Sequence, residues 1–161
     1  MAVGLLTGPP APRIAAPCGR PRHQALYAAK GLRPGSEAFI TDVCVPISQM
    51  ASAIMATQAD IAGAGLTAPI LGHVGDGNFH VIYLIDPENA DEMQTVKVVN
   101  ARMVDRALEL GGTCTGEHGV GLGKKDYMLR EHGAGAVALM AALKRAVDPQ
   151  NLMNPGKIFD C

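Results

Sequence analysis

The chain has 161 residues, enough for one domain with an apolar core, and a formal net charge of −1. That balance excludes the electrostatic footprint of a nucleic-acid binder, and no apolar run is long enough for a transmembrane helix. Cys18, Cys44, Cys114 and Cys161 form no C-x-x-C pair, which argues against a disulfide scaffold and for free thiols in a reducing compartment.

Residues 1–20 hold Pro9, Pro10, Pro12 and Pro17 and show no helical period. They read as a disordered or non-native leader, of the kind a displaced start codon produces. Asp and Glu are absent before Glu37, while Arg13, Arg20, Arg22, Lys30 and Arg33 are present. That bias is also a feature of transit peptides. The folded domain is expected over residues 21–161.

A short helix is predicted over Pro21 to Ala29, with Leu26 on its apolar side, and residues 32–36 form a turn. Phe39 to Pro46 is rich in β-formers and predicts a strand. Pro46 ends it, and Ser48 is placed to cap a helix running to about Ala62, with Ile47, Met50, Ile54 and Ile61 on its buried face. Gly63 and Gly65 stop that helix. Pro69 to Val74 and Phe79 to Ile85 are strands, and Asp76-Gly77 between them is a hairpin signal. Asp86-Pro87-Glu88 opens a long helix to about Leu110, with Val96, Val99, Met103, Ala107 and Leu110 as its apolar stripe. Gly111-Gly112 ends it, and Thr113 to Thr115 is a short strand. A glycine-rich loop follows from Gly116 to Gly123. A last helix from about Ala134 to Val147 buries Val137, Met140, Leu143 and Val147, and a tail turn ends the chain. The order is β-α-β-β-α-β, a ferredoxin-like α+β pattern: an antiparallel sheet with helices on one face, plus a C-terminal helix and tail.

The chemistry-bearing residues gather in two places. With Asp76-Gly77 as a two-residue turn, His73 faces His80 across the hairpin. Opposed residues share a face with Cβ atoms about 4.5–5.5 Å apart. Two imidazoles at that separation serve either as a packed pair or as two ligands to one metal. Glu117 and His118 supply a carboxylate and a third imidazole from the loop. His73, His80 and Glu117 make a two-histidine, one-carboxylate set with open positions, suited to zinc, manganese or iron. A metal with open positions binds the hydroxyl and carboxylate oxygens of a substrate and lowers the hydroxyl pKa. His118 is then the candidate base. Bland alternatives stand beside this: Glu117 as a helix cap, and the loop as a phosphate holder, though no P-loop or dinucleotide motif supports the latter. Lys124 and Lys125 read as solvated charges, and the cysteines as small buried apolar groups.

Gly72-His73-Val74-Gly75-Asp76-Gly77-Asn78-Phe79-His80, residues 113–121, and Asp148-Pro149 through Lys157 resemble the C-terminal domain of FAD-linked oxidases of the vanillyl-alcohol-oxidase superfamily. Arg22-His23 and residues 41–48 fit the same pattern, so the similarity runs from Pro21 to Phe159. It is greatest to the D-lactate dehydrogenase and glycolate oxidase branch. The resemblance implies a flavoprotein oxidoreductase acting on D-2-hydroxy acids such as D-lactate, glycolate or 2-hydroxyglutarate. It implies His73, His80 and Glu117 as ligands of zinc or manganese, and His118 as the group that removes the hydroxyl proton. It places Arg22 against the substrate carboxylate, a task suited to a forked donor, and Asn154 and Lys157 near the flavin. Family members specific for 2-hydroxyglutarate have polar residues where this chain has Leu26, Ile40 and Ile82. Apolar side chains there leave a second carboxylate unpaired, which favours a small monocarboxylate. These three positions also serve simply as core.

The resemblance departs in one respect: nothing here matches the N-terminal FAD domain of full-length members. FAD is therefore expected to be held mainly by a flavin domain in cis or trans, and apolar surface is expected to lie exposed where that domain packs. The competing reading is a truncated, catalytically inactive metal-binding or oligomerisation module. The expected setting is a bacterial cytoplasm, with peripheral inner-membrane association as a variant. Mitochondria are the setting of eukaryotic members.

Overall fold

The computed structural model describes residues 4–6, 21–73 and 75–160. Its elements are β1 (Gly4–Leu6), α1 (Pro21–Gly31), β2 (Glu37–Cys44), α2 (Met50–Gly63), β3 (Ile70–His73), β4 (Asn78–Ile85), α3 (Ala90–Glu109) and α4 (Met128–Val147). Short 3-10 turns at Ile47–Gln49 and Lys125–Tyr127 precede α2 and α4.

The sheet has the order β1-β3-β4-β2, and every pairing is antiparallel. Strands β2, β3 and β4 with α2 and α3 reproduce the expected ferredoxin-like core. Its last strand is reduced to a single bridge, Thr113 to Cys44. Within the stretch expected to be a leader, Gly4–Leu6 pairs with β3 as an edge strand. The remainder of that stretch lies outside the described residues.

Strand β4 is buried along its whole length. A central strand covered on both faces reads as a continuous apolar run, as residues 81–85 do. Phe79, Val81, Tyr83 and Ile85 point to one face and pack with Met50, Ile54 and Ile61 of α2 and Val96, Val99 and Met103 of α3. Ile82 and Leu84 point to the other face and meet Ala29 and Leu26 of α1. Thus α2 and α3 cover one face, while α1 covers one end of the opposite face. The rest of that opposite face carries the polar residues of β2, β3 and β4.

Several local expectations change. Ser48 does not cap α2; it lies within a 3-10 turn, Gln49 takes the cap position without a side-chain bond, and Ile47 is exposed. Helix α3 starts at Ala90, where Asn89 Oδ1 accepts from Glu92 N at 3.1 Å. That short side chain satisfies a free first-turn N–H, which Asp86 and Glu88 do not. Helix α4 begins at Met128 but is broken at Gly133, whose φ of 76° is non-helical, so its second part starts where predicted. The expected burial of its stripe does not hold. Leu143 and Val147 are exposed, Val137 and Met140 are only partly buried, and of α4 only Met128 is buried. An apolar period shows that a face is suited to burial; it does not say what covers it.

The hairpin register also differs from the two-residue turn. His73 pairs with Asn78 and Leu71 with His80, and residues 75–77 are a turn between them. A type I′ turn needs positive φ at both central residues, and of Asp76 and Gly77 only Gly77 has it, at 72°. The loop is closed instead by Asp76 N on His73 O (2.9 Å) and by Val45 N on Gly77 O (2.9 Å). Because the shift is two residues, side-chain parity is kept, and His73 and His80 still share a face.

Candidate metal and substrate site

The site lies on the sheet face that α1 shares. Asp42 on β2 is the register partner of His80 on β4, and His73 ends the neighbouring β3. The loop after α3 completes it. Thr113 exchanges backbone hydrogen bonds with Cys44, at 2.8 and 3.3 Å, and so brings residues 115–118 onto this face. Gly112 permits the approach: a Cβ there would lie 2.1 Å from Cys44 O.

The three expected ligands converge. Glu117 Oε1 is 3.2 Å from His80 Nε2 and 3.9 Å from His73 Nε2. The His73 and His80 rings sit edge to face with centroids 5.3 Å apart. One ligand atom from each residue lies within 4.8 Å of the others. Ligand atoms held about 2.0–2.2 Å from one ion stand roughly 3–3.5 Å apart, so small side-chain adjustments suffice for a shared cation. Two imidazoles and one carboxylate, graded from the buried His80 to the exposed Glu117 so that one side is open, fit a divalent metal. His118 stacks on His80 with ring centroids 4.9 Å apart, and it is the most exposed of the cluster. Its Nδ1 is 3.8 Å from Asp42 Oδ1 and its Nε2 is 4.0 Å from Glu117 Oε1. Burial, followed by the nearby His118 charge, holds the His80 imidazole below its ordinary pKa, which favours the neutral, ligating form.

Asp42 received no role from sequence reasoning, yet it organises the loop. It is fully buried. Its Oδ2 accepts from the backbone N–H of Gly116 (2.8 Å), Glu117 (2.6 Å) and His118 (3.0 Å), and its Oδ1 from Thr115 Oγ1 (3.0 Å) and Lys124 Nζ (2.9 Å). Burial alone would raise this carboxyl's pKa. The Glu117 and His118 N–H groups and the Lys124 ammonium outweigh it and hold Asp42 far below the usual carboxylate range. Lys124 is thus not the solvated charge expected; its ammonium is buried against Asp42. Lys125 is likewise engaged, donating to Gly156 O at 3.0 Å and pairing with Asp160. The available signal was period two: Ala38, Ile40, Asp42 and Cys44 share one face of an otherwise uncharged strand interior.

The remaining expected residues are dispersed. Arg22 lies in the first turn of α1, and its side chain is outside the described residues. Asn154 and Lys157 are exposed in the tail, which joins the site loop through Ile158 N on Gly121 O at 2.9 Å. Cys44 and Cys114 are free thiols; Cys18 and Cys161 lie outside the described residues.

Residues 15–158 match the family model for FAD linked oxidases, C-terminal domain. The chain belongs to that family. Its relatives include a probable mitochondrial D-lactate dehydrogenase of Danio rerio, 52% identical over 139 residues, a match covering 86% of this chain and 28% of the relative. The mitochondrial D-lactate dehydrogenase [cytochrome] of Arabidopsis thaliana is 42% identical, with 86% of this chain and 24% of the relative covered. The glycolate oxidase subunit GlcD of Bacillus subtilis is 40% identical, with 86% and 29% covered. The chain therefore spans about a quarter of the length of these relatives. Membership in this FAD-linked family implies FAD as the redox cofactor of the complete enzyme. No helix among the described residues is long and apolar enough to cross a membrane.

Proposed function

We propose that this chain is the substrate- and metal-binding portion of a flavin-dependent D-2-hydroxy-acid dehydrogenase, converting D-lactate or a similar small hydroxy acid to the 2-oxo acid. The observation that carries this reading is the convergence of His73, His80 and Glu117 from two strands and a distant loop, with His118 stacked beside them. The names of the relatives support the substrate class.

His73, His80 and Glu117 would hold a divalent cation, zinc or manganese, and such an ion supplies Lewis-acid polarisation of the substrate's oxygen atoms. The flavin supplies the acceptor for the hydride from the carbinol carbon. His118 stacks beside His80 at the exposed edge of the cluster, and its imidazole is the group that would take the hydroxyl proton. Arg22 would pair with the substrate carboxylate. Asn154 and Lys157 would approach the flavin from the tail.

The choice of a monocarboxylate rests on the floor beside the site. Ile82 is buried, Leu26 packs against it, and Ile40 is the register partner of Ile82 on β2. A second carboxylate laid on these side chains would lose its water without gaining a partner, at a cost of several kcal/mol. A mitochondrial setting follows the printed names of the relatives from Danio rerio and Arabidopsis thaliana.

Metal analysis of the purified chain tests the ligand set. One equivalent of divalent metal is expected, lost on His73→Ala, weakened but measurable on Glu117→Gln, where an amide oxygen replaces the carboxylate, and kept on His118→Ala. Retention after His73→Ala overturns it. With a flavin-binding half supplied, His118→Ala should cut turnover of D-lactate by about 10²–10⁴-fold, the usual span for removal of a general base. Undiminished turnover removes His118 from the mechanism.

A further inference from the structure

We infer that Asp42 is the positioning residue of the site: it is not a ligand, and it sets Glu117 and His118 through their backbone N–H groups. The inference rests on the metal-site reading above and extends it to a residue that ligates nothing.

Two overlapping groups of side chains have the geometry for a cation: His73, His80 and Glu117, and Asp42, His80 and His118. The chemistry of Asp42 decides between them. Both of its oxygens are saturated, Oδ2 by three backbone N–H groups and Oδ1 by the Thr115 hydroxyl and the Lys124 ammonium. A cation bound at Asp42 would have to displace these donors and sit beside the buried Lys124 charge. Glu117 Oε1 instead faces the imidazoles, with His80 Nε2 at 3.2 Å and His73 Nε2 at 3.9 Å. Cation binding therefore falls to Glu117, and Asp42 has a separate task.

That task follows from what it bonds. Three consecutive amides converge on one carboxylate oxygen, which fixes the loop backbone from Gly116 to His118 relative to β2. Asp42 is opposite His80 in the β2–β4 register. The rigid sheet thus sets the distance between a ligand on β4 and a ligand on the loop. The loop is held at its ends, by Thr113 on Cys44 and by Ile158 on Gly121, whereas the segment from Gly116 to His118 donates its backbone N–H groups to Asp42. Residues that orient ligands in this way commonly affect metal affinity by about 10–100-fold.

The test uses the metal-free chain first and zinc second. In Asp42→Asn, one carboxylate oxygen becomes an NH2 group, and the Glu117 and His118 amides should exchange with solvent about tenfold faster or more, while core amides of β4 are unchanged. Unchanged exchange at Glu117 and His118 overturns the inference, whether or not the chain binds metal. Zinc affinity measured by calorimetry should then fall about 10–100-fold in Asp42→Asn. In a Glu117→Gln background the same substitution should cost no further zinc affinity, because the carboxylate it positions is already gone. An equal loss in both backgrounds makes Asp42 a ligand or a general stabiliser and overturns the inference. Failure of the wild-type chain to bind zinc overturns the metal reading instead, and the exchange result still decides the clamp. Should Asp42→Asn not fold, Asp42→Asn with Lys124→Met removes the buried pair together and permits the same measurements.

Discussion

Gly116 lies so close to Asn78 that a Cβ on it would fall 2.2 Å from Asn78 Oδ1 and 2.4 Å from its Cγ. Asn78 is buried at the start of β4, two residues before His80, so the loop bearing Glu117 rests directly on the strand bearing the second histidine. Gly116→Ala should push the loop off the strand and weaken zinc affinity by about tenfold or more. The overpacking should also cost about 1–3 kcal/mol of stability. Calorimetry and urea unfolding check the two numbers separately; wild-type zinc affinity in this variant means the loop finds its place by other contacts.

Gly77 meets a harder wall. Its φ is 72°, and a Cβ there would lie 2.1 Å from Val45 O, the backbone of the adjoining strand end. Gly77→Ala combines left-handed strain of about 1–2 kcal/mol with steric displacement of about 1–3 kcal/mol. Urea unfolding should show a loss of about 2–5 kcal/mol. A loss under 1 kcal/mol would mean that the hairpin relaxes easily.

Cys114 is buried, and burial, followed by the neighbouring Glu131 carboxylate, pushes its thiol up to about 12. At pH 8 the reactive thiolate is then only about one molecule in 10⁴, so iodoacetamide should label Cys114 in the unfolded chain alone. The linkage has a definite sign. The folded state keeps this proton after the unfolded chain has released it, so stability falls as pH rises above about 8.5. Cys114→Ala should remove that part of the slope, as measured by unfolding between pH 8 and 10.

The outer face of α4 exposes Leu139, Leu143 and Val147. Leu143→Glu should therefore change stability by no more than about 0.5 kcal/mol, in contrast to any buried position of α3. A large loss by thermal unfolding would show that this face is covered in solution.

Much of the architecture was legible because its signals are local. The stripe Val96, Val99, Met103 and Ala107 repeats at the helical period and is buried as expected. Residues 81–85 form an unbroken apolar run and become the inner part of the central strand. The candidate ligands were legible for a related reason: a two-residue error in register leaves side-chain parity unchanged, so His73 and His80 meet although their predicted pairing was wrong. The burial of Lys124 was not legible, because a lysine between Gly123 and Lys125 carries no local sign of a carboxylate 82 positions away.

The amino-acid order alone determined which segments become strands and helices, which sheet faces are apolar, and which histidines and carboxylate have the chemistry to hold a cation, since side-chain alternation and helical period act within a few residues. Only the tertiary structure decided what fixes the loop. Pairing β2 with β4 sets Asp42 beside His80, and folding the glycine-rich loop back brings three amides onto its carboxylate. Those contacts span more than seventy positions of chain. Their strength comes from burial and converging dipoles, which exist only once the sheet is assembled.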